Sequence, residues 1–438
     1  MRRTPLRAKN TMFDFSRSCP ILAAASALAL LSAAPASAKQ AGSWREAHQS
    51  SPAAYDPLDP ALEKILIEKF KVPAAMLEPM RPKPPVAGTI RTRLAVSVAG
   101  SHIRVRISNE AGTRPITLAA ASVGLAGEGL AAAPGSLRQL TFGGARSVVI
   151  PAGAPLLSDP VELAVAAHGE LVVSAHLPDG LQLDPRGGGL MVLADGDQTM
   201  RESAEGAKPL PGRPLVSGVE VLTRNAPRVI VAFGDSITDG NRSKPGVLRS
   251  WPEELSRRFS ECRRCKPTSV VNAGIGGNRV LTSGWGPSAL ARFDRDVLRI
   301  EEASHVIVLE GVNDIGMSGK NPIFGDGPQL NASDLIAGYR QLIARAHARN
   351  IKLVMATILP MGGSITHSSP EKEAIRQTVN TWIRTSNEPD AVIDFDAAAR
   401  DPADPARMSK SFGSLDNLHP GDAGYKAMGD AIDLSIFK

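Results

Sequence analysis

Ser236 stands at the tip of V-I-V-A-F-G-D-S-I-T-D-G, residues 229–240, where a short apolar strand meets a glycine turn and a helix start. A serine hydroxyl is a poor nucleophile until a fold exposes it, sets a histidine beside it and gathers backbone donors around it. A strand-to-helix turn meets the first need: Gly234 permits the bend, and the helix start aims free N–H groups at developing negative charge. Helix capping is the competing role for Ser-Ile-Thr in this place. The needed base stands in Asp416-Asn-Leu-His-Pro420, where Asp416, three residues before His419, can hold one ring nitrogen while the other takes the serine proton. A cap for the last helix is the alternative for Asp416. Two further segments follow apolar runs: Asn272-Ala-Gly-Ile-Gly-Gly-Asn278, with Gly277, and Glu310-Gly-Val-Asn-Asp314, with Asn313. A positive-φ turn competes at Gly277, an Asx turn at Asn313 and a helix cap at Asp314. Asp235 and Asp239 read as turn and cap residues and not as the carboxylate pair of a glycosidase.

In order and spacing these four segments resemble the sequence blocks of the SGNH hydrolases, also called GDSL-type esterases and lipases. The resemblance runs from about Arg228 to Lys438. It implies an α/β fold, a flavodoxin-like three-layer α/β/α parallel sheet, and a carboxylic ester hydrolase with no metal and no organic cofactor. It assigns Ser236, Asp416 and His419 to a triad, and the N–H of Ser236, the N–H of Gly277 and the amide of Asn313 to an oxyanion hole. The family hosts carbohydrate acetylesterases, lipases, lysophospholipases, thioesterases and arylesterases, so the blocks do not choose the substrate. A β-rich module ahead of the blocks resembles the sandwich that precedes the hydrolase domain in secreted, xylan-esterase-like relatives. With export, it points to acetyl or short acyl esters on a polysaccharide. Aromatic residues at 4% of the chain pull the other way, since sugar platforms use aromatic rings. The alternatives are a lipase, lysophospholipase or small-ester esterase, and a non-catalytic carbohydrate-binding protein with a degenerate hydrolase domain.

Two different periodicities must position these residues. From Gly88 to Leu222 the chain reads as short strands: Ile103, Val105 and Ile107 alternate with Arg104 and Arg106, and further apolar runs are bounded by Gly, Pro or Asp. This predicts an all-β sandwich or jelly roll over 88–222. Ahead of it, 39–87 is expected to hold one helix, Pro60 to Phe70, and a Pro-rich linker. From 228 to 438 strands alternate with helices, as in a parallel sheet covered on both faces. Predicted strands are Val229–Phe233, Ser269–Ala273, His305–Glu310, Lys352–Ile358 and Ala391–Phe395; predicted helices are Trp251–Ser260, Ser333–Asn350, Pro370–Thr385 and Asp422–Leu434. Segment 204–227 is expected to be the hinge, so that small-ester chemistry would need nothing from 39–222. Ligands of such sheets bind beyond the carboxyl ends of the strands, where all four segments fall.

Residues 1–38 read as a secretory signal peptide: a basic stretch (Arg2, Arg3, Arg7, Lys9, Arg17), an apolar run from Ile21 to Leu31, and Ala36-Ser-Ala38 as the cleavage site. Its loss removes five Lys/Arg and one Asp and takes the formal charge from +6 to +2, which argues against a nucleic-acid partner. No second run is long enough for a membrane span in the mature chain. The expected location is the periplasm or outside the cell. Cys262 and Cys265 remain, and an oxidising compartment predicts a disulfide or two inert thiols rather than a redox or zinc site. Trp251 is expected to pack at a helix start, and His305 and His347 to be structural. Two residues are candidate substrate contacts: Trp285, in Ser283-Gly-Trp-Gly-Pro287, as a sugar floor or a packing residue, and His367, as a cleft residue or an exposed one.

Overall fold

The computed structural model describes residues 42–184, 186–241, 250–321 and 326–438; the leader expected at 1–38 lies outside them. Five apolar runs after Arg228 form one parallel sheet, since strands covered on both faces need no polar alternation. They are Arg228–Gly234, Thr268–Gly274, Ala303–Leu309, Lys352–Ala356 and Ala391–Ile393. Their spatial order is second, first, third, fourth, fifth, the flavodoxin-like order. Gly234 pairs with Gly274 on one side and Leu309 on the other, so three strands end level and their loops leave from one rim.

The helices start where the sequence signals caps. Ser250 and Glu253 form a capping box ahead of helix Trp251–Glu261, Asn331 and Asp334 another ahead of Ala332–His347, and the Ser369 side chain caps Pro370–Thr385. Helix Asp422–Ala431 packs on Trp251–Glu261, with Arg258 donating to the carbonyls of Gly429 and Ile432. Helices Ala332–His347 and Pro370–Thr385 form the second pair, Tyr339 stacking on Trp382 at 6.0 Å. The two pairs and the sheet make the α/β/α layers, around a core that includes Val231, Phe233, Ile307 and Leu353. Trp251 is buried there against Phe395, as a helix-start packing residue should be. Cys262 and Cys265, just after the first of these helices, are joined in a disulfide.

The preceding half holds two larger antiparallel sheets and a two-stranded one, Ile116–Leu118 with Val148–Ile150, among the described residues. The first orders Ser43–Gln49, Val216–Thr223, Gly100–Ser108 and Pro155–Leu157, with Val161–Val165 also on Gly100–Ser108; the second is six-stranded around Val86–Ala95 and Glu170–Leu181. Ile103, Val105 and Ile107 point into a shared apolar core with Val123, Val173 and Val219. The alternating arginines of that strand are ion-paired, Arg104 with Glu220 at 2.6 Å. Arg106 pairs with Glu46 at 2.8 Å and Glu220 at 2.9 Å, and Glu46 also meets Arg299 of the other half at 3.4 Å. This face forms the seam between the halves.

Two expectations are corrected here. Segment 39–87 contributes more than one helix and a linker: Ser43–Gln49 is a strand of the first sheet and lies against the second parallel strand. Ser269 donates to the Glu46 carbonyl at 2.6 Å, and Gln49 donates to the Asp296 carbonyl at 2.9 Å. Nor is 204–227 a hinge, since Val216–Thr223 is an interior strand whose Val219 and Val221 are fully buried. Residues 42–438 form one compact unit. Among the described residues no helix is long and apolar enough to cross a membrane.

Candidate active site

Ser236 opens a one-turn helix, Ser236–Asp239, directly after the first parallel strand. The preceding Asp235 is its N-cap, accepting the Ile237 N–H at 2.9 Å, and Gly240 closes it at φ +90°. Gly234 serves the turn by its size: a Cβ there would collide with Thr238 and the Leu309 carbonyl. The Ser236 hydroxyl lies 2.8 Å from His419 Nε2. His419 Nδ1 lies 2.8 Å from Asp416 Oδ2, and Asp416 Oδ1 accepts the backbone N–H of Leu418 and His419 at 3.0 and 2.8 Å. Burial alone would raise the Asp416 carboxyl, but the hydrogen bonds and the charge of His419 hold it well below the usual carboxylate range. A carboxylate fixed in this state keeps the Nδ1 proton in place and leaves Nε2 as the acceptor facing Ser236.

Gly277 follows the second parallel strand in the left-handed region, at φ +74°, and a Cβ there would strike the Trp285 ring. Trp285 is half-buried between this glycine and Arg186, whose guanidinium lies 5.4 Å over the ring. Asn313 lies in the short helix Val312–Gly316 after the third strand. Its Nδ2 donates to the Asn278 carbonyl at 2.9 Å, and its Oδ1 lies 3.2 Å from His367 Nε2. Asp314 is no helix cap. Its carboxylate accepts the N–H groups of Val280 and Leu281 at 2.8 and 3.1 Å, which ties the Gly277 loop to the third strand's loop. The strand register brings Ser236, Gly277 and Asn313 to one rim, and the Ser236–His419 contact adds the Asp416–His419 loop.

His367 is buried at 4% exposure rather than solvent-facing, and both ring nitrogens are engaged within the protein. That leaves neither nitrogen for a substrate. His305 is buried in its strand, 5.3 Å from Phe437, and His347 bonds Asp390 at 2.7 Å on the surface, so both are structural.

Sequence reasoning missed the side chain under the rim. Arg292, 1% exposed, donates to Gly234 O (2.8 Å), Ala273 O (2.7 Å), Asn278 Oδ1 (2.8 Å), Asp296 Oδ2 (2.9 Å) and Glu310 Oε1 (3.2 Å). It thus grips the ends of the first two strands and both neighbouring loops. The available signal was the Arg292–Asp296 pair, one turn apart within A-L-A-R-F-D-R-D. Around it, burial pushes Asp235 up to about 7 and Glu310 well above its ordinary value, and each keeps one buried oxygen without a hydrogen-bond partner. From the β half, Arg213 reaches Asp239 at 3.0 Å and the Ser51 carbonyl at 3.1 Å. Among the described residues no group of three or more His, Cys, Asp or Glu side chains is placed to hold a metal ion.

Residues 232–427 match the family model for the GDSL-like Lipase/Acylhydrolase family. Solved structures to which the chain is similar include a catalytic mutant of an acetylxylan esterase from Geobacillus stearothermophilus, at 21% identity over 47% of this chain and 91% of that one, TM-score 0.36. A GDSL-like lipase from Bacteroides thetaiotaomicron shares 17% identity over 48% of this chain and 88% of that one, TM-score 0.35. An acetyl xylan esterase shares 22% identity over 46% and 96%, TM-score 0.36. A comparison with curated proteins finds no match.

Proposed function

We propose that the chain is an exported serine esterase that removes acetyl or short acyl groups from hydroxyls, with carbohydrate as the alcohol. Ser236 Oγ attacks the ester carbonyl while His419 Nε2 takes its proton, and Asp416 stabilises the imidazolium that forms. The oxyanion is met by the N–H groups of Ser236 and Gly277 and by the Nδ2 hydrogen of Asn313 that Asn278 does not use. Collapse of the tetrahedral adduct breaks the C–O bond to the alcohol, which leaves with the proton from His419. A water then repeats the sequence on the acyl-enzyme.

The observation that carries this reading is the line of two 2.8 Å contacts from Ser236 Oγ through the His419 ring to Asp416. The carbohydrate alcohol has separate support. That support comes from the expected leader and from a β half that brings Arg186 against Trp285. Trp285 is proposed to wall the alcohol side of the site.

A fluorophosphonate probe should label the protein at Ser236, and unlabelled, folded protein would return it to the class of binding proteins. Activity should then be compared on acetylated xylan, pectin and peptidoglycan and on p-nitrophenyl esters of rising chain length. Preference for long chains would overturn the short-acyl assignment, and action on synthetic acetate with none on the polymers would overturn the carbohydrate one.

A further inference from the structure

His367 sits in the loop after the fourth parallel strand, 54 residues from Asn313, yet its ring is buried against the third strand's loop. Gly316 makes the space, since a Cβ there would overlap the imidazole. The hydrogen-bond directions can be settled from chemistry. The Asn278 carbonyl only accepts, so the Asn313 atom 2.9 Å from it is Nδ2, and Oδ1 is the atom facing His367. An amide oxygen only accepts, so His367 carries its proton on Nε2. Nδ1 is then an acceptor, and it takes the Thr366 hydroxyl at 2.5 Å. Burial, with the charges of His419 and Lys372 nearby, pushes His367 down to about 3, so it stays neutral where an esterase works.

We infer that His367 is a positioning residue for the oxyanion hole: Thr366 fixes its tautomer, and its Nε2–H holds the Asn313 amide so that one Nδ2–H faces the developing oxyanion. The inference rests on the proposed role of Asn313. An amide held only through Nδ2 can swing about its last side-chain torsion, and a donor aimed wrongly loses most of its value because hydrogen bonds weaken steeply with angle. Accepting at Oδ1 also polarises the amide and strengthens Nδ2–H as a donor, so the three groups act as one relay.

The test is a double-mutant cycle on p-nitrophenyl acetate with His367→Ala and Asn313→Ala, each variant checked for folding by its melting curve. Loss of one oxyanion donor costs about 10²–10³ in kcat; His367→Ala, which misaims that donor, should cost about tenfold or more, with KM within about twofold. His367→Gln, which can present an N–H near the same place, should recover most of the loss, and His367→Leu should not. In the Asn313→Ala background, His367→Ala should cost nothing further. An equal loss from His367→Ala in both backgrounds would make His367 a plain packing residue and overturn the inference, as would equal activity of the Gln and Leu variants. Failure of the underlying reading looks different: Asn313→Ala itself would then leave kcat unchanged. If His367→Ala does not fold, the Gln and Leu pair in both backgrounds gives the same decision.

Discussion

Replacing Arg292 with Met should separate the fold's support of the site from the chemistry in it. Met keeps much of the volume, and so the contact with Phe233, whose ring centroid lies 3.9 Å from the guanidinium carbon. The five acceptors are not equally exposed to the loss. Gly234 O also takes the Ile275 N–H at 3.0 Å, and Asp296 keeps Arg295 at 2.6 and 2.9 Å. Burial already pushes the Glu310 carboxyl well above its ordinary value, and loss of the guanidinium pushes it further toward the neutral form. Ala273 O likewise keeps the Gly234 N–H of the parallel ladder, so the acceptor that suffers most is Asn278 Oδ1, buried under the rim. A buried acceptor left without its donor costs about 1–3 kcal/mol, so the substitution should cost about 2 kcal/mol. That is a measurable part of a typical stability of about 5–15 kcal/mol. Urea unfolding at pH 7 reads it as a shift in midpoint at constant slope.

Activity should fall as well, because Asn278 carries the Asn313 amide on its carbonyl and anchors its loop by donating to the Pro287 carbonyl at 2.8 Å. Adding Glu310→Gln to the Arg292→Met variant should recover less than about 1 kcal/mol, since no buried charge on Glu310 needs relief. A large recovery would show that Glu310 is ionised and that the guanidinium acts mainly as its counter-ion. A loss under about 1 kcal/mol with normal kcat would refute the whole account of Arg292 as the clamp beneath the rim.

Ser236→Ala should abolish hydrolysis of p-nitrophenyl acetate and probe labelling while the melting temperature changes little, because one small hydroxyl is removed; near-normal kcat would discard the nucleophile assignment. Activity should survive EDTA, since the proposed mechanism needs only a neutral imidazole at His419 to accept the serine proton. Loss with chelator restored by a divalent ion would count against the mechanism. Burial pushes Glu253 up to about 7 from an ordinary value near 4.5, and Asp235 and Asp314 share the sign. The folded chain then holds protons that the unfolded chain has released, so stability should be full below about pH 4.5 for these groups and fall up to about pH 7. Glu253→Gln keeps the capping box and should remove up to about 3 kcal/mol of that fall, measured as unfolding midpoints at pH 5 and 7.5; an unchanged pH slope would show that Glu253 ionises freely.

The parallel sheet was legible because both-face burial writes continuous apolar runs, such as Val229 to Phe233, and its helices because caps such as Ser250 and Ser369 are local. The Asp416–His419 spacing was legible for the same reason, being settled within one loop. What stayed hidden depends on distant partners. Arg292 reaches carbonyls 19 and 58 residues away, which no local spacing encodes. Asp314 looks like a cap beside a helix start, and only the fold reveals acceptance from Val280 and Leu281 on another loop. The strand Ser43–Gln49 escaped notice because S-W-R-E-A-H-Q has no apolar alternation. Its charged residues are paired in the seam: Arg45 meets Pro227 O at 2.8 Å and Glu302 at 3.0 Å, and Glu46 meets Arg106.

The seam also changes what the β half does for the chemistry. A reading that places every reacting group after residue 228 makes the first half look dispensable for a small ester. Yet Asp239, on the same one-turn helix as Ser236, is held by Arg213, which is itself anchored on the Ser51 carbonyl. Trp285, which presses on Gly277, is covered by Arg186, and Asp184 fixes that guanidinium at 2.9 Å. Two of the three loops proposed to bind the oxyanion are thus braced by arginines from the β half. Preorganised donors lose their advantage when their loops relax, because catalysis by fixed dipoles needs them in place before charge develops. The β half therefore belongs to the scaffold of the site.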